Sequence, residues 1–410
     1  MVDVRLTKLV LILVLAFFSF WCKSHNSAVP KKFTFDDDGM LVLEGKRTFI
    51  IGSYHLPKSE QPFQELSEAG FNYVHVAANE EQLDLAQQNN LWVWISLGAI
   101  NSERADETSE IIKNKIRQFK AHPALLCWET IDEPAFIWNS AKPRFDPELL
   151  IETHRLIKKE DDQHFVYVNH APVNLISTLQ IYNPASDIVA CDIYPVIPHG
   201  IRPQYALFPD GLQGDLLNPY LSQVGEYVDK MRRVTGNGKP LFMVLQGFAW
   251  EMLRDDGDRD PTMIKYPTFE ETRFMAYNAI IHGSNGILYW GIAHTPQPSP
   301  FWSDLKKVAS ELALLQTVLA ARNLKMKITK TYHEVGHSVD AGVEILAKQN
   351  GADLFLITAN VDKNPIKVTL GGLEKYRHIE VLLEGRALVL DRGKLTENYR
   401  PFDVHVYKLY

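Results

Sequence analysis

The stretch LLCWETIDEPAF, residues 125–136, combines an apolar run with two adjacent carboxylates. Leu125–Ile131 is short, apolar and bounded by a proline, which is the pattern of a buried strand in a parallel sheet. Pro134 supports an end to the strand, because proline cannot donate to a sheet ladder. Asp132 and Glu133 therefore stand at the edge of a rigid element, where a general acid is well held.

Seven further runs of the same kind accompany this strand. Between residues 48 and 322, apolar runs alternate with amphipathic segments, which predicts βα units and a parallel sheet. Eight such units in that length predict a (β/α)8 TIM barrel. An open doubly wound sheet is the alternative, but no glycine-rich phosphate loop follows the first strand. The other predicted strands are Thr48–Tyr54, Phe71–Ala77, Leu91–Leu97, His164–Val168, Ile188–Tyr194, Pro240–Leu245 and Gly286–Trp290, and helices are predicted at Glu103–Ala121, Pro147–Lys159, Thr268–His282 and Trp302–Ala321.

The segments on either side of the barrel have other patterns. Phe33–Gly45 predicts a small β-hairpin, so the barrel domain is expected to span residues 30–322. Beyond it, short alternating runs separated by turn residues predict an antiparallel β-sandwich domain over residues 323–410. These runs are Val343–Ala347, Leu354–Ala359, Ile366–Leu370, Ile379–Leu383 and Phe402–Tyr407.

Residues 1–22 have the layout of a secretory signal peptide. Two basic residues precede an apolar run, Leu9–Trp21, that is too short for a comfortable membrane span. Cys22 and a polar stretch follow, so the segment resembles a bacterial lipoprotein signal with Cys22 as the lipidated residue. A plain cleaved signal peptide or an uncleaved anchor is the alternative. We expect an exported protein, either a cell-envelope lipoprotein or a secreted one.

Composition and net charge limit the kinds of molecule that the protein is expected to bind. The net charge of the 410-residue chain is −7, and its basic residues are spread along the sequence, which argues against a nucleic-acid partner. Cys127 and Cys191 lie in apolar runs, so we expect buried thiols. No motif has metal-ligand spacing, and the acidic segment 251–260 lacks the terminal glutamate of a calcium loop. The sequence therefore predicts neither a metal nor an organic cofactor.

Polar and aromatic residues stand where the predicted strands end, which in a TIM barrel is the position of the active site. Carboxylates, amides and aromatic rings around one rim suit a sugar, which offers hydroxyls to bond and apolar ring faces to stack. The residues predicted to line such a cleft with Asp132 and Glu133 are His170, Asp192, Tyr194, Gln246, Trp250 and Trp290.

The order of these motifs resembles the clan of retaining glycoside hydrolases built on (β/α)8 barrels. The resemblance lies in WETIDEP on the fourth strand, Asp192-Ile193-Tyr194-Pro195 on the sixth and ILYW on the eighth. It implies that Glu133 is the catalytic acid/base, that Asp132 takes the place of the usual asparagine, and that Trp290 is the platform under the scissile sugar. It also implies an enzyme that cleaves glycosidic bonds of an oligo- or polysaccharide.

The seventh strand departs from the clan, since Gln246 stands where the nucleophilic glutamate is expected. Three interpretations remain open. Another carboxylate serves, with Glu251, Asp255 and the better-held Asp192 as candidates. Alternatively, Asp132 and Glu133 act on a 2-acetamido sugar whose own carbonyl oxygen is the nucleophile. In the third, the barrel binds carbohydrate without cleaving it.

Side-chain direction is the remaining question at the fourth strand. Strict alternation would point Asp132 and Glu133 to opposite faces, so both reach the cleft only if the strand ends or bulges there. Glu129 has the same parity as Glu133 but lies deeper in the strand, and for it we expect a charge paired inside the barrel.

Overall fold

The computed structural model describes residues 32–137, 142–198, 218, 220–236, 238–333, 339 and 341–410. The first described element is a small antiparallel sheet. Its strands are β1 (Phe33–Phe35), β2 (Leu41–Leu43) and β3 (Lys46–Thr48). The segment predicted as a hairpin thus gains a third strand. The predicted signal segment, residues 1–22 with Cys22, lies outside the described residues. No helix within the described ranges is long and apolar enough to cross a membrane.

The next eight strands close into a parallel barrel, which confirms the predicted fold. β11 pairs with β4 and β9 with β10, so no edge is left open. Each predicted strand matches one of these elements to within a few residues. The barrel strands are β4 (Ile50–Ser53), β5 (Tyr73–His75), β6 (Trp92–Ser96), β7 (Leu125–Glu129), β8 (Phe165–His170), β9 (Ile188–Ile193), β10 (Leu241–Gln246) and β11 (Gly286–Trp290).

Large side chains fill the part of the barrel interior that the structure describes. Tyr73 and Trp94 stack with ring centroids 4.3 Å apart, and both are fully buried. At the amino end, Phe33 packs on Trp92 at 5.2 Å, and Trp92 is the first residue of its strand. The small sheet therefore covers one end of the barrel, so a ligand site is left to the other end.

Helices surround the barrel and pack their apolar faces on it. The third predicted helix begins where Thr268 and Glu271 form a reciprocal capping box, and the second begins at Pro147 after the capping Asp146. The helix predicted over Trp302–Ala321 is divided at Leu315. The helices are α1 (Pro62–Glu68), α2 (Glu80–Gln88), α3 (Ala105–Phe119), α4 (Pro147–Glu160), α5 (Ile176–Tyr182), α6 (Gln223–Thr235), α7 (Phe269–Ile281), α8 (Pro300–Leu314) and α9 (Gln316–Leu319).

Two antiparallel sheets follow and enclose a separate apolar core, as expected for a β-sandwich. One sheet has the order β12-β14-β15-β20-β17-β18 and the other β13-β16-β19. Four of these strands were not predicted, because they are very short or, like Leu395–Tyr399, alternate with polar residues. The strands are β12 (Arg322–Asn323), β13 (Thr329–Tyr332), β14 (Val343–Asn350), β15 (Asp353–Asn360), β16 (Ile366–Gly371), β17 (His378–Val381), β18 (Arg386–Val389), β19 (Leu395–Tyr399) and β20 (Val404–Leu409).

The sandwich is fastened to the outer helices of the barrel. Phe274 of α7 packs on Phe402 with ring centroids 5.0 Å apart, and Arg273 donates to the carbonyl of Val404 at 2.8 Å. His282 lies 2.9 Å from the Glu344 carboxylate. Nearby carboxylates raise the pKa of His282 to about 10 although its burial acts in the opposite direction. These contacts lie on the flank of the barrel, and no described residue of the sandwich lines the pocket at the carboxyl end of the barrel.

Candidate active site

A pocket of about 220 Å³ opens at the carboxyl end of the barrel. Its wall is formed by the ends of β4, β7, β8, β9, β10 and β11 and by the loops that follow them. Six of the eight residues predicted from the sequence line it. The full lining is Tyr54, Asp132, Glu133, Phe136, Asn169, Ala171, Pro172, Val173, Asp192, Tyr194, Phe248, Trp250, Leu253 and Trp290.

The backbone after β7 explains how two adjacent carboxylates enter one pocket. β7 ends at Glu129, and Glu133 adopts a φ of +46°, a left-handed conformation that costs a non-glycine residue about 1–2 kcal/mol. The Glu133 amide donates to the carbonyl of Asn169 at 3.0 Å, which holds this turn against β8. Alternation therefore stops before Asp132, and both side chains line the pocket.

The surroundings of Glu133 favour the protonated form of its carboxyl group. Its side chain is 20% exposed. Burial, followed by the neighbouring Asp132 carboxylate, raises the pKa of Glu133 to about 7. The guanidinium of Arg144, 3.3 Å from the carboxylate, acts in the opposite direction. A carboxyl group with a pKa near 7 is matched to general acid catalysis at neutral pH.

Asp192 lies close to both carboxylates of the turn. The side-chain amide of Asn169 donates to Asp132 at 3.0 Å and to Asp192 at 3.3 Å, so the two acceptor oxygens are at most about 6.3 Å apart, the sum of those lengths. Burial raises the pKa of Asp192 well above its usual range, and the Glu133 charge adds to this. Asp132 keeps contact with solvent, yet partial desolvation by the surrounding protein also raises its pKa.

Gln246 does not line the pocket. It is fully buried at the end of β10. Its amide oxygen accepts from the Val196 amide at 3.0 Å, and its amide nitrogen donates to the carbonyls of Val196 and Phe248 at 3.1 and 3.0 Å. This side chain therefore links the loop after β9 to the loop after β10.

Four aromatic side chains form one wall of the pocket. Tyr194 and Trp290 stack at 5.8 Å, and Phe248 packs edge-on against Trp290 at 5.1 Å. The indole nitrogen of Trp250 donates to the carbonyl of Tyr194 at 3.2 Å, which fixes this ring. The wall offers apolar faces of the kind on which a sugar ring stacks.

Other residues considered in the sequence lie away from the pocket lining. His170 is buried, and this burial lowers its pKa to about 3, so its ring is neutral. Glu251 is also buried, and it accepts from the Asp260 amide at 2.7 Å, which organises the loop over residues 251–260. Asp255 is exposed on that loop. Of the three carboxylates considered as partners for Glu133, only Asp192 lies in the pocket.

Glu129 is held by a hydroxyl group rather than by a charge. Ser96 donates to its carboxylate at 2.5 Å. His75 lies 3.8 Å away, but burial lowers the pKa of His75 to about 4, so this ring is neutral near pH 7. Burial also raises the pKa of Glu129 to about 7. The expected pairing inside the barrel is found in the contact between Glu129 and His75, and burial disfavours the charged form of both groups.

Several pocket residues were not selected from the sequence. Asn169 and Tyr54 stand at strand ends, a signal that could have identified them. Arg144 lies eleven residues after Glu133 in a loop, and no pattern indicated its contact. Within the described ranges, no group of three histidine, cysteine or acidic side chains is arranged to hold a metal ion.

Comparison with solved structures finds the same fold in glycoside hydrolases. A glycoside hydrolase family 5 protein from Bacteroides vulgatus is 11% identical, with 94% of this chain and 95% of that chain covered and a TM-score of 0.60. A protein described as a glycoside hydrolase is 13% identical over 92% of this chain and 96% of its own, with a TM-score of 0.59. A family 27 β-L-arabinopyranosidase from Geobacillus stearothermophilus is 11% identical over 88% and 97%, with a TM-score of 0.57. No family model and no curated protein matches the sequence.

Proposed function

We propose that the protein is a glycoside hydrolase, whose substrate on the sequence interpretation is an oligo- or polysaccharide. The observation that carries this proposal is a single pocket in which three carboxyl groups with raised pKa values face an aromatic wall. Glycoside hydrolysis uses two carboxyl groups on either side of the scissile bond, one protonated and one ionised. The likeness to solved glycoside hydrolases supports the fold on which this chemistry is placed.

Glu133 is the general acid in this proposal. It gives its proton to the glycosidic oxygen as the bond from that oxygen to the anomeric carbon breaks. The turn that places it is braced against β8 by the bond from its amide to Asn169, so the carboxyl group is held in position. A pKa of about 7 leaves a large protonated fraction at neutral pH.

Asp192 is the second carboxylate. It either attacks the anomeric carbon or takes a proton from the water that does so. The charge of Glu133 raises the pKa of Asp192, so the two groups do not readily ionise together and share a proton over a range of pH. The reaction requires the state in which Glu133 holds that proton and Asp192 is ionised. The absent glutamate on the seventh strand does not exclude catalysis on this account.

Hydrolysis of 2-acetamido sugars by substrate assistance is the second candidate. The observation that favours it is the placement of Asp132 beside Glu133 in the pocket, within reach of Asn169. In that reaction Asp132 orients the acetamido group, whose carbonyl oxygen attacks the anomeric carbon. Asp192 would then position Asn169 and would not meet the sugar.

A panel of aryl glycosides, with and without a 2-acetamido group, separates these proposals. The anomer first formed is followed by proton NMR, and Glu133→Gln is assayed in parallel. Turnover of sugars that lack the 2-acetamido group supports the principal proposal, and turnover confined to acetamido sugars supports substrate assistance. Binding without turnover of any member would contradict hydrolysis and leave a carbohydrate-binding barrel.

Export and lipid attachment through Cys22 belong to the same proposal. The basic residues, the apolar run and Cys22 support it, because together they have the order of a lipoprotein signal. Expression in a bacterial host with radiolabelled palmitate is expected to label the wild-type protein and leave Cys22→Ser unlabelled. Label on neither protein, with the wild type in the medium, would indicate a plain signal peptide.

A further inference from the structure

A second part of the pocket lining, which includes a residue three positions after Glu133, consists of apolar side chains. Phe136, Ala171 and Val173 form a hydrophobic cluster separate from the other apolar clusters of the described residues. All three line the pocket, as does Pro172 between them. We call these four residues the Val173 wall. Their side chains carry no hydrogen-bonding group.

Two loops build this wall, and hydrogen bonds lock them together. The Phe136 amide donates to the carbonyl of Glu133 at 3.1 Å, so the wall begins in the same turn as the acid. The side chain of Asn174 donates to the carbonyl of Ala135 at 3.0 Å, which joins the loop after β8 to the loop after β7. The wall is therefore preformed and fixed relative to Glu133.

The Val173 wall and the aromatic wall occupy neighbouring parts of the rim. The aromatic wall comes from β9, β10 and β11, and the Val173 wall follows β7 and β8, the strands next to the turn that carries Glu133. In the proposed reaction the sugar ring stacks on the aromatic wall and its glycosidic oxygen meets Glu133. The group beyond that oxygen then lies along the Val173 wall.

We propose that the Val173 wall is the site for the leaving group, and that it selects glycosides whose aglycone is apolar, an alkyl or aryl group. This replaces the oligo- or polysaccharide that the sequence implied with a narrower class of substrate for the same reaction. This inference rests on the proposed hydrolysis, because Glu133 fixes the position of the departing oxygen. A second sugar in this position would lose water from its hydroxyls without gaining partners from the wall, which disfavours it. An alkyl chain gains from the same burial.

A series of methyl, ethyl, butyl and hexyl β-D-glucosides tests this inference, with the galactosides and mannosides alongside. The leaving alcohols have nearly equal acidity, so differences in KM report binding of the chain and not bond strength. Each methylene that reaches the wall is expected to lower KM roughly fourfold, so butyl should bind at least about tenfold better than methyl. Equal KM values along the series would overturn the inference.

Val173→Thr keeps the volume of the side chain and adds a hydroxyl to the wall. It should reduce the ratio of the KM of the methyl glycoside to the KM of the butyl glycoside by about threefold or more, because the alkyl chain then meets a polar surface. The matched control is Val389→Thr on β18, which is 77% exposed, and it should leave the ratio unchanged. Equal ratios in the two variants would contradict the assignment.

A binding measurement separates failure of this inference from failure of the proposed function. Glu133→Gln protein is titrated with the same glycosides, and the fluorescence of the pocket tryptophans is followed. Tighter binding with each methylene supports the apolar site even if the wild type hydrolyses none of the glycosides, an outcome that would refute only the hydrolase proposal. Binding that does not change with chain length overturns the apolar site whatever the turnover.

Discussion

The ends of β7 and β10 occupy equivalent rims of the barrel and use their polar side chains in opposite ways. At the end of β7, a left-handed turn brings Asp132 and Glu133 into the pocket. At the end of β10, Gln246 is buried with its amide bonded to the backbone of Val196 and Phe248. The end of β7 places carboxylates in the pocket, where their burial is costly. The polar group at the end of β10 instead joins two loops.

This difference explains why an amide stands where the resemblance implied a carboxylate. A carboxylate in the place of Gln246 could accept from the Val196 amide but would face two carbonyl oxygens with no proton to donate. The amide satisfies all three groups. The amide on β10 therefore has a structural role, while Asp192 on the adjacent β9 lies in the pocket.

The largest expected effect is on turnover at the β7 end. Glu133→Gln removes the proton donor and should lower kcat about 1,000-fold for glycosides of poor leaving groups. The loss should be smaller for aryl glycosides, whose departing oxygen needs less protonation. The exposed Glu148→Gln serves as control and should keep full activity. Wild-type turnover by Glu133→Gln would remove Glu133 from the mechanism.

Gln246→Glu tests the β10 end. It breaks two donated hydrogen bonds in a fully buried position and sets a carboxyl group against carbonyl oxygens, so unfolding should be easier by about 3 kcal/mol. Denaturant unfolding measures this, with the exposed Gln118→Glu on α3 expected to change stability by less than about 0.5 kcal/mol. A stable Gln246→Glu protein with higher activity would contradict the structural role of Gln246 and show that a residue at this position can act as the nucleophile.

The pH dependence of stability sharpens the contrast, because the pKa of Glu133 in the folded protein, about 7, is above its ordinary 4.5. The folded protein holds this proton more tightly, so wild-type stability from this group is lost as pH rises through about 7. Glu133→Gln avoids that loss and should be more stable than the wild type at pH 8 by about 3 kcal/mol. The difference should vanish below about pH 4.5. Equal stability at both pH values would contradict the raised pKa.

The smallest effect concerns Arg144, whose charge lowers the pKa of Glu133. Arg144→Met should raise that pKa and move the alkaline limb of the kcat/KM profile to higher pH. The shift should stay below about one unit, because the guanidinium is 43% exposed and solvent screens it. A shift to lower pH would contradict the contact between Arg144 and Glu133.

The barrel was predictable because its strands are apolar runs at regular spacing. Gly286–Trp290 has the predicted bounds, whereas the run Leu125–Ile131 leaves the sheet after Glu129. Thr130 and Ile131 favour strands, but the left-handed turn at Glu133 draws this segment towards β8 through the bond to Asn169. Contacts of this kind join residues distant in sequence, so the strand propensity of individual residues does not predict them.

The candidate site was predictable in its residue types but not in its side-chain directions. Asp192 and Gln246 both stand at strand ends, and nothing local distinguishes the one that lines the pocket from the one that is buried. The distinction depends on Val196, fifty positions before Gln246, which offers both a donor and an acceptor to the amide. His170 likewise ends a strand, yet its ring packs 6.2 Å from the ring of Tyr182 on α5 and does not line the pocket.

The central claim is that Asp192, and not a residue of β10, is the carboxylate that acts with Glu133. Asp192→Ala opens space beside the anomeric carbon, and added azide is the substitute nucleophile. The account predicts that azide restores turnover of an aryl glycoside and yields a glycosyl azide whose anomeric configuration is inverted relative to the substrate, while Asp132→Ala gains nothing from azide. Wild-type turnover by Asp192→Ala, or no azide product from it, would contradict the account.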